Sequence, residues 1–450
     1  MQNQELRYRL AWPLLWLSLV CCVFEGALRK WGVGEASITA KLAYVSKDIV
    51  LATFLALGLG APSALTRIAQ PYLVAGLTLL ACGAGLSAIF GIDLLGAALT
   101  LKTFFVLPIA CLLAGHLLPA DALKRFARWI AILSVPLAVL GVLQFYSPSN
   151  SALNRYSTMG EDVAATTSGV NERVRATGTF SYISGFGEFA ETAVWAGIVT
   201  FTIARTVRER LLGYAAVGSG FCCALVTVSR AVALISLALV IVWALVGGQF
   251  GRKVRTAFTI AFAALAALFL TQEWDHAEEI VSTVYLRHYS EKNSDTFSGR
   301  LWYQFVHPMD ALAIAPLGFG LGSQQSATML EDATRRSQGM FESPWGRTIM
   351  EVGILGLLGF FVTLGVVFAP LIVAYRATKR SELKTVLAVT GAALMAKALL
   401  GFQFNHVTTY FFWATGASVL SLANGIRLPH PPRLGSQIRS ARSAPRAVTN

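Results

Sequence analysis

Charged side chains are what this sequence is short of. Asp, Glu, Lys and Arg make up 14% of its 450 residues, against roughly 25% in soluble domains. With 55% hydrophobic residues and a mean hydropathy of +0.59, that shortage excludes an ordinary soluble enzyme. Acid is scarcer than base: 24 Asp and Glu stand against 37 Lys and Arg, a net charge of +13. The cysteines (Cys21, Cys22, Cys82, Cys111, Cys222 and Cys223) lie in apolar runs without Cys-x-x-Cys or Cys/His spacing. Nothing in their arrangement asks for a metal, and they read as small packing residues. The short alternating segments of a membrane β-barrel are missing as well. In their place stand apolar runs near the ~20 residues that cross a bilayer as helix.

The expected fold class is therefore all-α: a polytopic helical membrane protein with about twelve transmembrane helices. The runs fall at roughly 10–28, 42–60, 72–92, 97–118, 128–147, 186–204, 212–229, 231–249, 255–272, 348–373, 384–401 and 406–424. The first run carries Glu25 and lacks a clear small-residue cleavage site, so it reads as a retained helix rather than a removed signal peptide.

Placing the amino terminus in the cytoplasm puts Arg7 and Arg9, Arg67, Lys124, Arg125 and Arg128 in cytoplasmic segments. Arg205, Arg208 and Arg210, Arg252, Lys253 and Arg255, and Arg376, Lys379, Arg380 and Lys384 join them. The short loops at 91–96 and 400–405 on the other side hold no Lys or Arg. This is the positive-inside pattern, and it predicts both termini in the cytoplasm. Most of the +13 then encodes orientation, and no nucleic-acid partner is expected. The transmembrane domain is read as 1–424, with outer loops at 148–185 and 273–347, a large one between the ninth and tenth helices. Residues 425–450, rich in Arg, Ser and Pro, read as a disordered basic cytoplasmic tail.

The polar chemistry gathers toward the outer side. FEGALRKW, Phe24 to Trp31, closes the first run with Glu25, Arg29 and Lys30, and Lys47 and Asp48 stand in the second. A charge at a helix centre costs at least ~2.5–3.5 kcal/mol on insertion scales, so such residues face partners or a polar cavity. Arg29, Lys47, Asp48 and Arg173 are candidates for a cavity rim. NERVRATGTFSY, Asn171 to Tyr182, brings Arg173 and Arg175 to the membrane ahead of Glu188 and Glu191. TVSRAVAL places Arg230 between two runs, where a snorkelling interfacial Arg is the plainer alternative. In SGRLWYQFVHPMDALAIAPLGFGLGSQ, Arg300 opens an amphipathic stretch expected to lie on the membrane surface and to be interrupted at Pro308. FESPWGRTIMEVGILG follows, with Glu342 before the tenth run and Glu351 inside it. Guanidinium groups bind phosphate oxygens in bidentate fashion and keep their charge. An outward site lined with them suits a lipid-linked phosphate.

In RATGTF before a run, SR between two runs, GR followed by PLGFGLG, and E-x-G-I-L-G after the large loop, the sequence resembles the O-antigen ligase and O-antigen polymerase superfamily of bacterial envelope glycosyltransferases. The likeness covers roughly residues 72–424. FEGALRKW with its following Lys-Asp is similar to an exopolysaccharide-associated subgroup. The resemblance implies inverting, metal-independent glycosyl transfer without a cofactor in the bacterial inner membrane. The donor would be an undecaprenyl-pyrophosphate-linked glycan, with Arg175, Arg230 and Arg300 holding the pyrophosphate. A flippase and a chain-length regulator would be natural partners. Ligases of the superfamily carry His-Asn where this chain has Glu342-Ser343. Glu342 is then one candidate for the base and Glu351 another, with His288 and His307 as substitutes. The favoured expectation is a polymerase of repeat units. The alternatives are a ligase acting on lipid A-core or protein, and a secondary transporter using Lys47, Asp48, Lys102, Glu191, Glu351 and Lys397 for ion coupling.

Overall fold

The computed structural model describes residues 2–32, 49–50, 52–53, 66–91, 94–155, 173–246, 297–323, 343–400 and 406–427. Among them the fold is all-helical, without a β-strand. Helix α1, Gln2–Ala27, continues into a π turn at Leu28–Gly32. Helix α2 is Thr66–Ser87. Helices α3, Leu94–Leu101, and α4, Leu107–Leu117, form one rod across a π turn at Lys102–Val106. Then come α5, Ala122–Tyr146, α6, Ile183–Thr202, α7, Val207–Val226, and α8, Arg230–Leu245. Helix α9 is Phe297–Ile314, α10 Pro344–Ala377, α11 Ser381–Leu400 and α12 His406–Arg427.

Five segments are long and apolar enough to cross a membrane: Leu10–Gly32, Ile68–Phe90, Ala122–Tyr146, Val207–Val226 and Trp345–Ala377. The chain is a helical membrane protein on that ground. Lys102–Leu117 and Ala231–Leu245 are shorter apolar helices. The expected run at 255–272 lies outside the described residues, as does 42–60 apart from helical residues at 49–50 and 52–53. The basic tail beyond Arg427 is outside them too.

Helices α6, α11 and α12 bury polar groups inside the bundle. Nearly every residue of α6 from Gly185 to Thr200 is buried. Lys397 of α11 and Thr408, Thr409, Thr415, Ser418 and Ser421 of α12 are buried as well. A helix enclosed by other helices satisfies its polar groups on protein and need not be uniformly apolar.

Two seams bring helix backbones into contact through small residues, as bilayer packing favours. A Cβ on Gly359 of α10 would lie 2.6 Å from the nitrogen of Leu80 and 2.7 Å from the carbonyl of Gly76, both on α2. Gly197 of α6 and Gly213 of α7 face each other in the same manner, each blocking a Cβ on the other at 2.7 and 2.9 Å from its carbonyl.

Helix alternation sorts the motifs to one end of the bundle. Trp345, near the start of α10, donates its indole N–H to the Leu399 carbonyl at the end of α11 at 3.0 Å. Gly26, near the end of α1, packs on Thr179 and Ser181 before α6. At the opposite end Glu209 of α7 pairs with Lys124 of α5 at 3.1 Å, and Ser421 of α12 donates to the Leu118 carbonyl after α4 at 3.0 Å.

Helix α9 differs from expectation. It runs through Pro308 without interruption, and it packs on α10. Ala311 and Ala315 are buried with Ile349 and Met350, while Met309 and Ile314 are exposed. The small alanines let the two helices approach, and that contact outweighs the hydrogen bond lost at proline.

Candidate functional site

The segment from Arg173 to Tyr182 is held on three sides. The Ala176 amide donates to the Val226 carbonyl at 3.0 Å, and Arg175 Nε donates to the Thr227 carbonyl at 3.0 Å. Both bonds use carbonyls at the α7 C-terminus, groups that no helical turn can satisfy. The turn that follows contains Val228 at φ 53°, a conformation costly for a β-branched side chain. Two residues later Arg230 begins α8. RATGTF thus rests on the end of α7, two to three residues before the SR motif.

On the second side is α5. Gln144 accepts from the amides of Thr177 at 3.1 Å and Gly178 at 2.7 Å, and its own amide donates to the Gly178 carbonyl at 3.1 Å. Gly178 has φ 55°, which glycine adopts without steric penalty. Arg173 lies over the ring of Tyr146, 5.2 Å from its centroid.

The third side is FEGALRKW. Arg29 pairs with Glu25 at 3.5 Å and donates to Ser181 Oγ at 3.3 Å. Lys30 donates to Thr177 Oγ1 at 2.6 Å and to the Gly178 carbonyl at 3.2 Å. Trp31 donates to the Ala152 carbonyl at 2.8 Å. The charges that close the first apolar run fasten the segment leading into α6.

A second junction joins the other two motifs. Gly353 breaks α10 with φ 68° and ψ −173°, and the PLGFGLG loop fills the break. Ile354 donates its amide to the Pro316 carbonyl at 3.0 Å, and Met350 accepts from the Phe319 amide at 2.6 Å. The Ile354 amide and the Met350 carbonyl, released by the break, thus find partners in the loop. Glu351 sits beside the break, fully buried, and accepts from Thr100 Oγ1 of α3 at 2.9 Å.

Between the junctions lies a buried charge cluster. Lys397 of α11 is 2.7 Å from Glu188 and 3.8 Å from Glu191 of α6. Two carboxylates one helical turn apart share one ammonium.

Of the predicted site residues, the structure joins Arg175 to the turn before Arg230, sets Arg173 and Arg29 around the same segment, and buries Glu351 at the α10 break. Arg300 opens α9, about 21 Å along the helix from Ile314 at 1.5 Å per residue. Glu342, Lys47, Asp48 and His288 lie outside the described residues. His307 is half-buried on α9. Sequence reasoning passed over Gln144 and Thr100 as site neighbours. Gln144 had a signal, an amide inside an apolar run, where an unpartnered polar group is expensive. Among the described residues no group of His, Cys, Asp and Glu is arranged to hold a metal ion.

Compared with models of known protein families and with curated proteins, the chain matches none.

Proposed function

We propose that this chain is a glycosyltransferase of the bacterial inner membrane, of the O-antigen polymerase and ligase type, and within that class a polymerase. It joins oligosaccharide repeat units carried on undecaprenyl pyrophosphate at the outer face. The full arrangement has about twelve spans, with both termini in the cytoplasm and the motif-bearing end outside. The observation that carries the reading is the contact of Arg175 with the turn that leads into Arg230. The contact holds Arg175 against Thr227, three residues along the chain from Arg230, which supports a shared anion site.

In the reaction, an acceptor sugar hydroxyl attacks the anomeric carbon of the donor glycan. The bond from that carbon to the pyrophosphate oxygen breaks, and its electron pair leaves with the lipid pyrophosphate. A base takes the hydroxyl proton. Arg175, Arg230 and Arg300 stabilise the charge gathering on the leaving group, more strongly in a partly dry site than in water. Glu342 and Glu351 are the candidate bases. Glu351 is buried and hydrogen-bonded to Thr100, which suits a carboxylate that orients another group. Glu342, in the position of the superfamily's His, is the better candidate to meet the acceptor.

The test uses purified protein and lipid-linked repeat unit. The wild type should form polymer, and an Arg175→Ala plus Arg230→Ala double variant should insert normally yet lose more than about 100-fold in rate, the scale of a lost oxyanion contact. Normal polymer from that variant refutes the clamp. Glu342→Gln should keep donor affinity and lose transfer. A transporter is the second reading, favoured by the Lys397, Glu188 and Glu191 cluster. Uptake of the repeat unit into vesicles without chain growth would select it.

A further inference from the structure

Lys30 is buried, with 5% of its surface exposed. Its ammonium makes two bonds, to Thr177 Oγ1 and to the Gly178 carbonyl, and both acceptors are neutral. No carboxylate among the described residues pairs with it, since Glu25 stands against Arg29. The hydrogen bonding by itself does not require a charge. Gln144 grips the same two residues from the other side with a neutral amide. A buried ammonium without a counter-charge is costly, and an anion bound beside it would relieve that cost.

The surroundings agree. Among the described residues, Arg29, Lys30, Arg173 and Arg175 bear on the segment 173–181, and Glu25 is the carboxylate among them. Thr177 is two residues from Arg175, and the bonds at 176–178 are what fix that stretch. We propose that Lys30 is a positioning residue for anion recognition. It pins the Thr177–Gly178 turn, so that Arg175 stays against the α7 terminus, and its charge adds to the attraction for a phosphate or pyrophosphate group on the donor. This rests on the proposed transferase site and adds the α1 terminus to it.

The experiment compares Lys30→Gln, Lys30→Met and Lys30→Arg in the full chain, reconstituted in lipid nanodiscs. Gln can make both hydrogen bonds but has no charge. Its donor KM should rise about tenfold with kcat changed by less than about threefold, the loss of a nearby positive charge without loss of the turn. Met, which makes neither bond, should lower kcat as well, and Arg should recover part of the KM. A separate arm measures thermal stabilisation by inorganic pyrophosphate and needs no turnover. Wild type should be stabilised, and Lys30→Gln should need about ten times more ligand. If wild type shows that stabilisation and its dependence on Lys30 but no glycosyl transfer, the anion role stands and the transferase reading falls. If Lys30→Gln matches wild type in KM and in stabilisation by pyrophosphate, the charge is idle and the proposal is overturned. Should Lys30→Met fail to fold, the Gln and Arg variants still decide.

Discussion

The two ends of the bundle use charge in opposite ways. At the basic end the cations are exposed: the side chains of Lys124, Arg125 and Arg128 keep 33%, 49% and 54% of their surface in contact with solvent, while Glu209, which Lys124 and Arg128 share, keeps 12%. At the motif-bearing end, Arg29, Lys30, Glu351 and Lys397 are buried, and each holds a particular partner. Exposed pairs contribute little to stability, whereas groups taken out of water must be matched or the fold suffers. The first set can therefore serve as an orientation signal that tolerates exchange of one basic residue for another. The second set is specific to its geometry.

The comparison can be broken by substitution, and the largest effect is expected at Lys397. Lys397→Met would leave Glu188 and Glu191 facing each other inside the bundle, a loss of about 3–5 kcal/mol. Thermal unfolding in detergent should show it, and a triple variant that also neutralises both carboxylates should recover much of the loss. Gly353→Ala comes next. A Cβ there would meet the Leu317 backbone at 2.6 Å in a conformation that alanine resists, at about 2–3 kcal/mol. Gly218, whose Cβ would meet nothing within 4 Å, serves as the control. Thr100→Val removes a donor to a buried carboxylate and should destabilise by about 1–3 kcal/mol, with unfolding midpoint as the readout. Glu209→Ala at the basic end should change stability by less than about 1 kcal/mol and leave polymer synthesis intact. If Glu209→Ala proves as damaging as Lys397→Met, the contrast between the ends is wrong. A reporter fused at residue 320 should be active only outside the cytoplasm, and cytoplasmic activity would reverse the assignment of sides.

Much of the helical layout was legible in the sequence because lipid-facing helices declare themselves by length and hydropathy. Runs near 10–28, 72–92, 128–147, 212–229 and 348–373 all became long apolar helices. The start of α10 was missed by a few residues, although Ser343 caps it and Pro344 follows in the first turn. The break at Gly353 was invisible, since Glu-Val-Gly-Ile-Leu-Gly reads as unbroken apolar helix. What makes it a break is a loop some thirty residues upstream in the chain, and no local pattern carries that. The contact between Arg175 and Thr227 was hidden likewise, because a backbone carbonyl at a helix end leaves no mark on residue type. The proline of α9 misled in the other direction, as packing on α10 overrode a local preference.

The pairing of Pro316 with Ile354 and of Phe319 with Met350 has a consequence for how such a protein can diverge. Residues 320–323 and 343–349 on either side also pack on the bundle, Leu321 beside Val352 and Trp345 on the Leu399 carbonyl, so both ends of the chain joining them are fixed. The length of that stretch is uncoupled from the spacing of the helices. Doubling it would add only about 0.6 kcal/mol of closure entropy, less than many single substitutions in the paired segments themselves. Loops of other lengths and compositions can then be exchanged at this place, as whole cassettes, over an unchanged helical base. Grafts confined to 324–342 should leave the helical base folded, and grafts that cut Leu317 or Gly353 should fail whatever sequence they carry.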